Sequence, residues 1–324
     1  MTPRRALLLA PLAAPLAAPA LAQQAEWRPS RPVTLVVPFA AGSGTDAVAR
    51  ILAQMLSQEM GGATITVDNR AGANGTIAAR AVMQSPPDGQ TLFVTTNTTH
   101  AANPWLLKRL DYDPINDFTP ISRLGNYVFW LAVNPEVPAR NLRELMALAK
   151  ARPGQISYAS GNGTGIVAGA TIARMGGVEM LHVPYRSTPP AITDLLAGRV
   201  QSMVVDLTPS QGHVRDGRLR ALGVTSGQRS ALIPDVPTLA EEGLPGFDLL
   251  SFAVLLGPAR MAPEATAAYG AAMRRVGAKP EYRSRLAEVG FDGMTSTPEE
   301  VGTFIREQIA AWGEMIRGAG IEPE

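Results

Sequence analysis

The sequence contains no cysteine. That excludes disulfides, thiol nucleophiles, thiolate metal sites and a lipid anchor on a cysteine. Histidine is scarce: His100, His182 and His213 are the only three, and none has a partner at metal-ligand spacing. No metal site and no resident cofactor are expected. No G-x-S-x-G elbow occurs, which removes the common serine-hydrolase arrangement, and no catalytic residue is assigned. Charge of one sign is also lacking. The formal net charge is +1 over 324 residues, with no lysine- or arginine-rich run, so the footprint of a nucleic-acid-binding protein is missing. Beyond residue 22 no apolar stretch approaches the roughly 20 residues that span a bilayer.

What is present starts at the N-terminus. Arg4 and Arg5 precede a run of Ala, Leu and Pro that ends in Ala20-Leu21-Ala22. This order is that of a secretory signal peptide over residues 1–22, with cleavage expected after Ala22. The paired arginines also fit twin-arginine export, and both routes stay open. The expected location is outside the cytoplasm. Without the signal, 27 basic residues stand against 28 acidic ones. About 300 residues remain, enough for two hydrophobic cores.

Val33–Phe39 reads as a buried parallel strand, 40–45 as a loop and 46–60 as a helix stopped by Gly61-Gly62. Strands at 64–68 and 91–95 flank a helix near 76–83. This β-α-β-α-β order implies a parallel sheet with right-handed crossovers. A second alternating set follows: strands at 155–160, 181–183, 201–206 and 220–225, with helices at 141–151, 166–175 and 189–196. The last third returns to helices. Thr297-Pro-Glu-Glu300 is a capping box that opens a long amphipathic helix. The expected architecture is two α/β lobes, with the chain leaving the first and later returning to it: lobe 1 from 23–125 and 229–324, lobe 2 from 126–228. Hinge crossings are expected near 126–133 and 225–232.

Two loops carry the functional signal. Phe39, Ala40, Gly42, Ser43, Gly44, Thr45 and Asp46 join a strand to a helix, and so do Ser160, Gly161, Asn162, Gly163, Thr164 and Gly165 about 120 residues later. Ligands of open α/β sheets bind outside the carboxyl ends of the strands. Glycine there uncovers backbone N–H groups, and each following helix points its positive end at the same spot. One such loop is an ordinary turn and cap; two matched loops on opposite lobes can grip one anion from both sides. Thr96, Asn97, Thr98 and His100 follow the third strand and either line the cleft or face solvent. Tyr185 stands at the mouth. Asp206 ends a strand, where it either bonds a ligand hydroxyl or amine or caps the next helix. Gly42-Ser-Gly44-Thr-Asp-Ala47 also fits the dinucleotide pattern G-x-G-x-x-A, with Asp68 near the ribose position. An exported NAD(P)-dependent oxidoreductase is therefore an alternative.

The chain resembles the Bug family, the periplasmic substrate-binding receptors of tripartite tricarboxylate transporters, from about Trp27 to Ile321. The likeness is carried by Pro38-Phe39 with 42–46, Asp68-Asn-Arg-Ala-Gly-Ala-Asn-Gly75, Pro87-Asp-Gly89, Tyr112-Asp-Pro114 and Tyr158-Ala-Ser-Gly-Asn-Gly-Thr164. It continues through His182-Val-Pro-Tyr185, Pro234-Asp-Val-Pro-Thr238 and Glu241-Glu-Gly243. The resemblance implies a two-lobed type II periplasmic-binding-protein fold, each lobe a mostly parallel sheet flanked by helices, with a ligand cleft between the lobes. It implies a receptor rather than an enzyme: a monomer whose partners are a small carboxylate ligand and the membrane subunits of the transporter. Loops 39–46 and 160–165 would pinch the carboxylate, with Thr96 to His100, Tyr185 and Asp206 choosing among ligands. A subunit presenting its ligand to a membrane sensor is a further alternative. The sequence departs from the family pattern at Gly165-Ile166-Val167, at Ala40-Ala41 with Ser43, and at Arg186-Ser187, so the resemblance names no ligand.

Overall fold

The computed structural model describes residues 27–324; the expected signal peptide and cleavage site lie outside the described residues. Valine-rich β1 (Val33–Val37) sits at the centre of the first α/β unit, with four of its five residues buried. It feeds α1 (Gly44–Glu59), β2 (Ile65–Asn69), α2 (Thr76–Met83) and β3 (Thr91–Thr96), and β1 pairs in parallel with both β2 and β3. A wide helical turn over Thr98–Ala102 and the short α3 (Asn103–Leu106) then lead to β4 (Phe118–Tyr127).

Only Val128 separates β4 from β5 (Phe129–Val133), the first strand of the second sheet. That sheet is completed by α4 (Leu142–Ala151), β6 (Ser157–Ser160), α5 (Gly163–Met175), β7 (Leu181–Pro184), α6 (Thr188–Leu196), β8 (Ser202–Asp206), α7 (Leu207–Arg215) and β9 (Arg220–Val224), in strand order β7-β6-β8-β5-β9. The chain returns as β10 (Ser251–Pro258) and closes with α8 (Pro263–Ala278), α9 (Pro280–Glu288), β11 (Phe291–Gly293) and α10 (Pro298–Gly318). The first sheet has strand order β11-β4-β10-β3-β1-β2.

Two points differ from the sequence reading. The sheets are mixed rather than mostly parallel. β10 runs antiparallel to β3 and β4, β11 antiparallel to β4, and β5 antiparallel to β8 and β9. β5 and β10 arrive from the other sheet and need no helical crossover, so nothing forces them parallel. The return also falls later than residue 229. Thr238 bridges Val224, Leu239 N–H donates to Val224 O at 2.9 Å, and Leu249 N–H donates to Thr225 O at 2.9 Å. The stretch before β10 therefore stays on the second sheet.

The C-terminal helix holds the first lobe together. Thr297 and Glu300 form the reciprocal capping box, and Val301, Trp312 and Ile316 are buried along one face. Trp105 donates its indole N–H to Ile309 O at 2.7 Å, and Gly313 leaves the space that the Trp105 ring fills.

Candidate functional site

The start of α1 is built as an anion site. Ser43 is its N-cap, and its hydroxyl accepts from Asp46 N–H at 3.3 Å. Gly42 has φ +80°, which a side chain would strain. Its N–H donates to Asp46 Oδ2 at 3.0 Å, and Arg50 Nε donates to the same oxygen at 3.0 Å. Burial opposes ionisation of Asp46, but these donors hold its pKa below the usual carboxylate range. Asp46 thus stays charged and shapes the loop from within. Asn69 ties the loop to β2 by donating to Phe39 O at 3.0 Å. The N–H groups of Gly44 and Thr45 are left with no acceptor among the described residues; first-turn donors have none inside the helix.

The start of α5 repeats the design. Asn162 is the N-cap and accepts from Gly165 N–H at 2.9 Å. Gly161 must be glycine, because a Cβ there would lie 2.5 Å from the backbone nitrogen of Thr188. Ser160 Oγ pairs with His182 Nε2 at 2.7 Å, and the His182 ring stacks on Tyr158. Thr164 N–H has no acceptor among the described residues.

The two helix starts face each other across a closed cleft. Gly163 N–H donates to Thr98 Oγ1 at 3.1 Å, and Asn97 Nδ2 donates to Thr164 Oγ1 at 2.9 Å. Ser251 Oγ, on β10, accepts from the Thr164 hydroxyl at 3.2 Å. At the mouth, Ala40 N–H donates to Ser187 Oγ at 3.2 Å; on another flank Gln211 Nε2 donates to Glu288 O at 3.0 Å. The cavity between them measures about 20 Å³, room for about one water.

Nine of the residues singled out from sequence line this cavity: Phe39, Ser43, Gly44, Thr45, Thr96, Thr98, Asn162, Thr164 and Asp206. None of its lining residues is lysine, arginine or histidine. Asn97, Ala40 and Gly163 act beside it as cross-lobe latches, and Gly42, Asp46, Ser160, Gly161 and Gly165 shape the loops. Two expectations fail on geometry. His100 neither lines the cleft nor faces solvent. The helical turn at Thr98–Ala102 winds it into the core against Phe93 and Phe118, with Nδ1 bonded to the Thr99 hydroxyl at 2.8 Å. Burial pushes its pKa down to about 3. Tyr185 points along its own lobe and donates to Asp194 Oδ2 at 2.7 Å.

Asp206 stands at the N-cap position of α7 but makes no side-chain cap. It is 4% exposed, and its Oδ2 has no partner among the described residues. Burial pushes its pKa up to about 7. Four further lining residues were not singled out: Tyr127, Phe129, Thr188 and Ser251. Tyr127 and Phe129 lie within the expected first crossing and flank Val128, and Tyr127 donates to Thr45 Oγ1 at 3.1 Å. Ser251 opens β10, a strand that was not read from the sequence. A larger cavity, about 300 Å³, lies between Pro114–Pro120 and the start of α10. Its walls are mainly apolar, and it lacks the paired helix starts.

Two mixed α/β sheets, joined by two crossings and closed over a cleft, define a solute-binding receptor of the periplasmic type. Comparison with known proteins narrows this. Residues 48–321 match the family model described as "Tripartite tricarboxylate transporter family receptor", and the chain belongs to that family. A protein from the tcbD-tcbE intergenic region of Pseudomonas sp. strain P51 is 35% identical over 91% of this chain and 88% of its own length. BugT of Bordetella pertussis is 31% identical over 91% of each chain. Among solved structures, R. palustris Rpa4515 with adipate superposes with TM-score 0.88 at 32% identity, covering 91% of this chain and 99% of that one. MatC of Rhodopseudomonas palustris with bound malate gives 0.83 at 30%, covering 89% and 99%. The periplasmic binding protein BugD gives 0.86 at 30%, covering 91% and all of that chain.

The family and these neighbours are receptors, not enzymes, which sets aside the oxidoreductase reading. The structure explains the false dinucleotide match. Gly44 opens α1 against Asp206 of the other lobe rather than toward a crevice within its own sheet. Asp68 is paired with Arg70 at 2.8 Å.

Proposed function

We propose that this chain captures a small carboxylate between lobe 1 (27–127 and 251–324) and lobe 2 (128–250). It then delivers the ligand to the membrane subunits of a tripartite transporter. The observation that carries this reading is the pair of capped helix starts aimed into one cavity, with the N–H groups of Gly44, Thr45 and Thr164 uncommitted. Hydrogen bonds to a charged acceptor contribute about 1.5–3 kcal/mol each, and each helix end adds roughly 0.3–2 kcal/mol. Three bonds and two helix ends reach the roughly 8 kcal/mol of a micromolar receptor without any cation. Adipate and malate, bound by two of the neighbours, support the carboxylate class. In this reading the receptor is exported with residues 1–22 as its signal and works as a monomer. The ligand enters an open form, and rotation at Val128 and at 225–250 closes the lobes over it.

A thermal-shift panel of mono-, di- and tricarboxylates, aromatic acids, acidic amino acids and NAD(H) tests the proposal. A ligand at about 100 times its Kd adds about 2.7 kcal/mol of stability. A rise with one carboxylate class and none with NAD(H) is expected. No rise with any carboxylate contradicts the proposal.

A further inference from the structure

Asp206 is out of place in an anion site. It ends β8 beside the start of α1 from the opposite lobe, and a Cβ built on Gly44 would lie 2.2 Å from its Oδ2. The same helix start presents the uncommitted N–H groups of Gly44 and Thr45. Anion donors and a lone acceptor are thus neighbours. Two hydroxyls nearby are committed elsewhere: Tyr127 donates to Thr45, and Thr208 donates to Val289 O. Among the described residues nothing supplies a proton donor to Oδ2.

A carboxylate held on the α1 N–H groups brings its adjacent carbon toward Asp206. At pH 8, with Asp206 ionised, closure over a carbon that carries only hydrogen either buries an acceptor with no partner beside another anion or draws a proton onto Asp206, and both cost binding energy. An unsatisfied buried group costs about 1–3 kcal/mol, more when charged. If the carbon carries a hydroxyl or an ammonium, the ligand supplies the missing donor. Building on the carboxylate reading above, we propose that Asp206 selects carboxylates with a hydrogen-bond donor on the adjacent carbon, that is 2-hydroxy or 2-amino acids, over their unsubstituted counterparts. A site built around a ligand donor discriminates because the analogue that lacks it leaves the protein group unpaired.

The test uses three skeletons, each in unsubstituted, 2-hydroxy and 2-amino form: propionate, lactate and alanine; succinate, malate and aspartate; 3-phenylpropionate, 3-phenyllactate and phenylalanine. Calorimetric titration is run on the wild type, Asp206→Asn and Asp206→Ala. The wild type should bind a substituted member roughly 10- to 100-fold tighter than its unsubstituted parent. In Asp206→Ala that ratio should fall to within about twofold, chiefly because the parent gains affinity. Asp206→Asn keeps an acceptor but loses the charge, so preference for the amino acid should collapse while preference for the hydroxy acid partly survives. Equal binding across a skeleton by the wild type, or a ratio unchanged in both variants, overturns this inference alone. No binding by any of the nine acids overturns it, and the carboxylate reading falls with it when the thermal-shift panel is blank as well.

Discussion

The Asp206→Asn variant should be more stable than the wild type at pH 8 in the absence of ligand. Asp206 is an acid whose folded pKa is raised from 3.8 to about 7 by burial. The folded state therefore binds its proton more tightly than the unfolded chain does. The contribution of the group is fully present below pH 3.8, falls as pH rises between 3.8 and 7, and is flat above. About three pH units at 1.36 kcal/mol each make the loss roughly 4 kcal/mol. With an unfolding entropy near 2.1 cal/mol/K per residue, that is about 6 °C in Tm for a chain of this length. It is the upper value, because opening the cleft hydrates the carboxylate and caps the loss at the cost of opening. Asparagine matches the protonated acid in shape, so the two proteins should melt alike at pH 4. Among the described residues the titratable group facing Asp206 is Tyr127, which burial keeps neutral throughout. His100 titrates identically in both proteins and cancels in the difference. Melting both at pH 4 and pH 8 is the assay. A variant no more stable than the wild type at pH 8, or a gain of equal size at both values, would refute the reasoning.

Gly44→Val should hold the lobes apart, since its Cβ would strike Asp206 at 2.2 Å. Ligand affinity should drop by at least about 100-fold, with the unliganded Tm within a few degrees of wild type, as titration and melting would record. His100, buried neutral with its pKa pushed down to about 3, stabilises the fold fully above pH 6.5. That stability is lost as pH falls through 6.5 toward 3, by up to roughly 5 kcal/mol. Chemical denaturation of His100→Gln between pH 7 and 4 should show a shallower decline than the wild type. Thr297→Ala removes the N-cap of α10 and should cost about 1 kcal/mol, read as a decrease of one to two degrees in Tm.

Much of this was legible because local chemistry and global fold agree. Val33–Val37 is apolar at every position but Thr34 because it is covered on both faces, and Ser43 and Asn162 are good N-caps in front of glycine. What escaped reading has a common cause. β10, with sequence SFAVLLGP, is wholly buried, and a short apolar run carries no periodicity to mark it as a strand or to set its direction. Without β10, Ser251 had no reason to stand in the cleft, and the return to the first sheet was placed too early. His100 follows Thr96 and Asn97 in a polar run that reads as a cleft edge. Only the wide turn beneath it, invisible in residue types, rotates the imidazole into an aromatic cluster. Asp206 was read as a ligand contact or a helix cap; the observed rotamer leaves α7 uncapped and faces Gly44.

The central claim is that one carboxylate is gripped by the starts of α1 and α5. The most direct measurement is a crystal structure with whichever carboxylate raises Tm most in the thermal-shift panel. The account predicts carboxylate oxygens about 2.7–3.2 Å from the N–H groups of Gly44, Thr45 and Thr164, directly or through a single water. A carboxylate seated instead in the larger cavity near Arg306, or touching only one of the two helix starts, would contradict it.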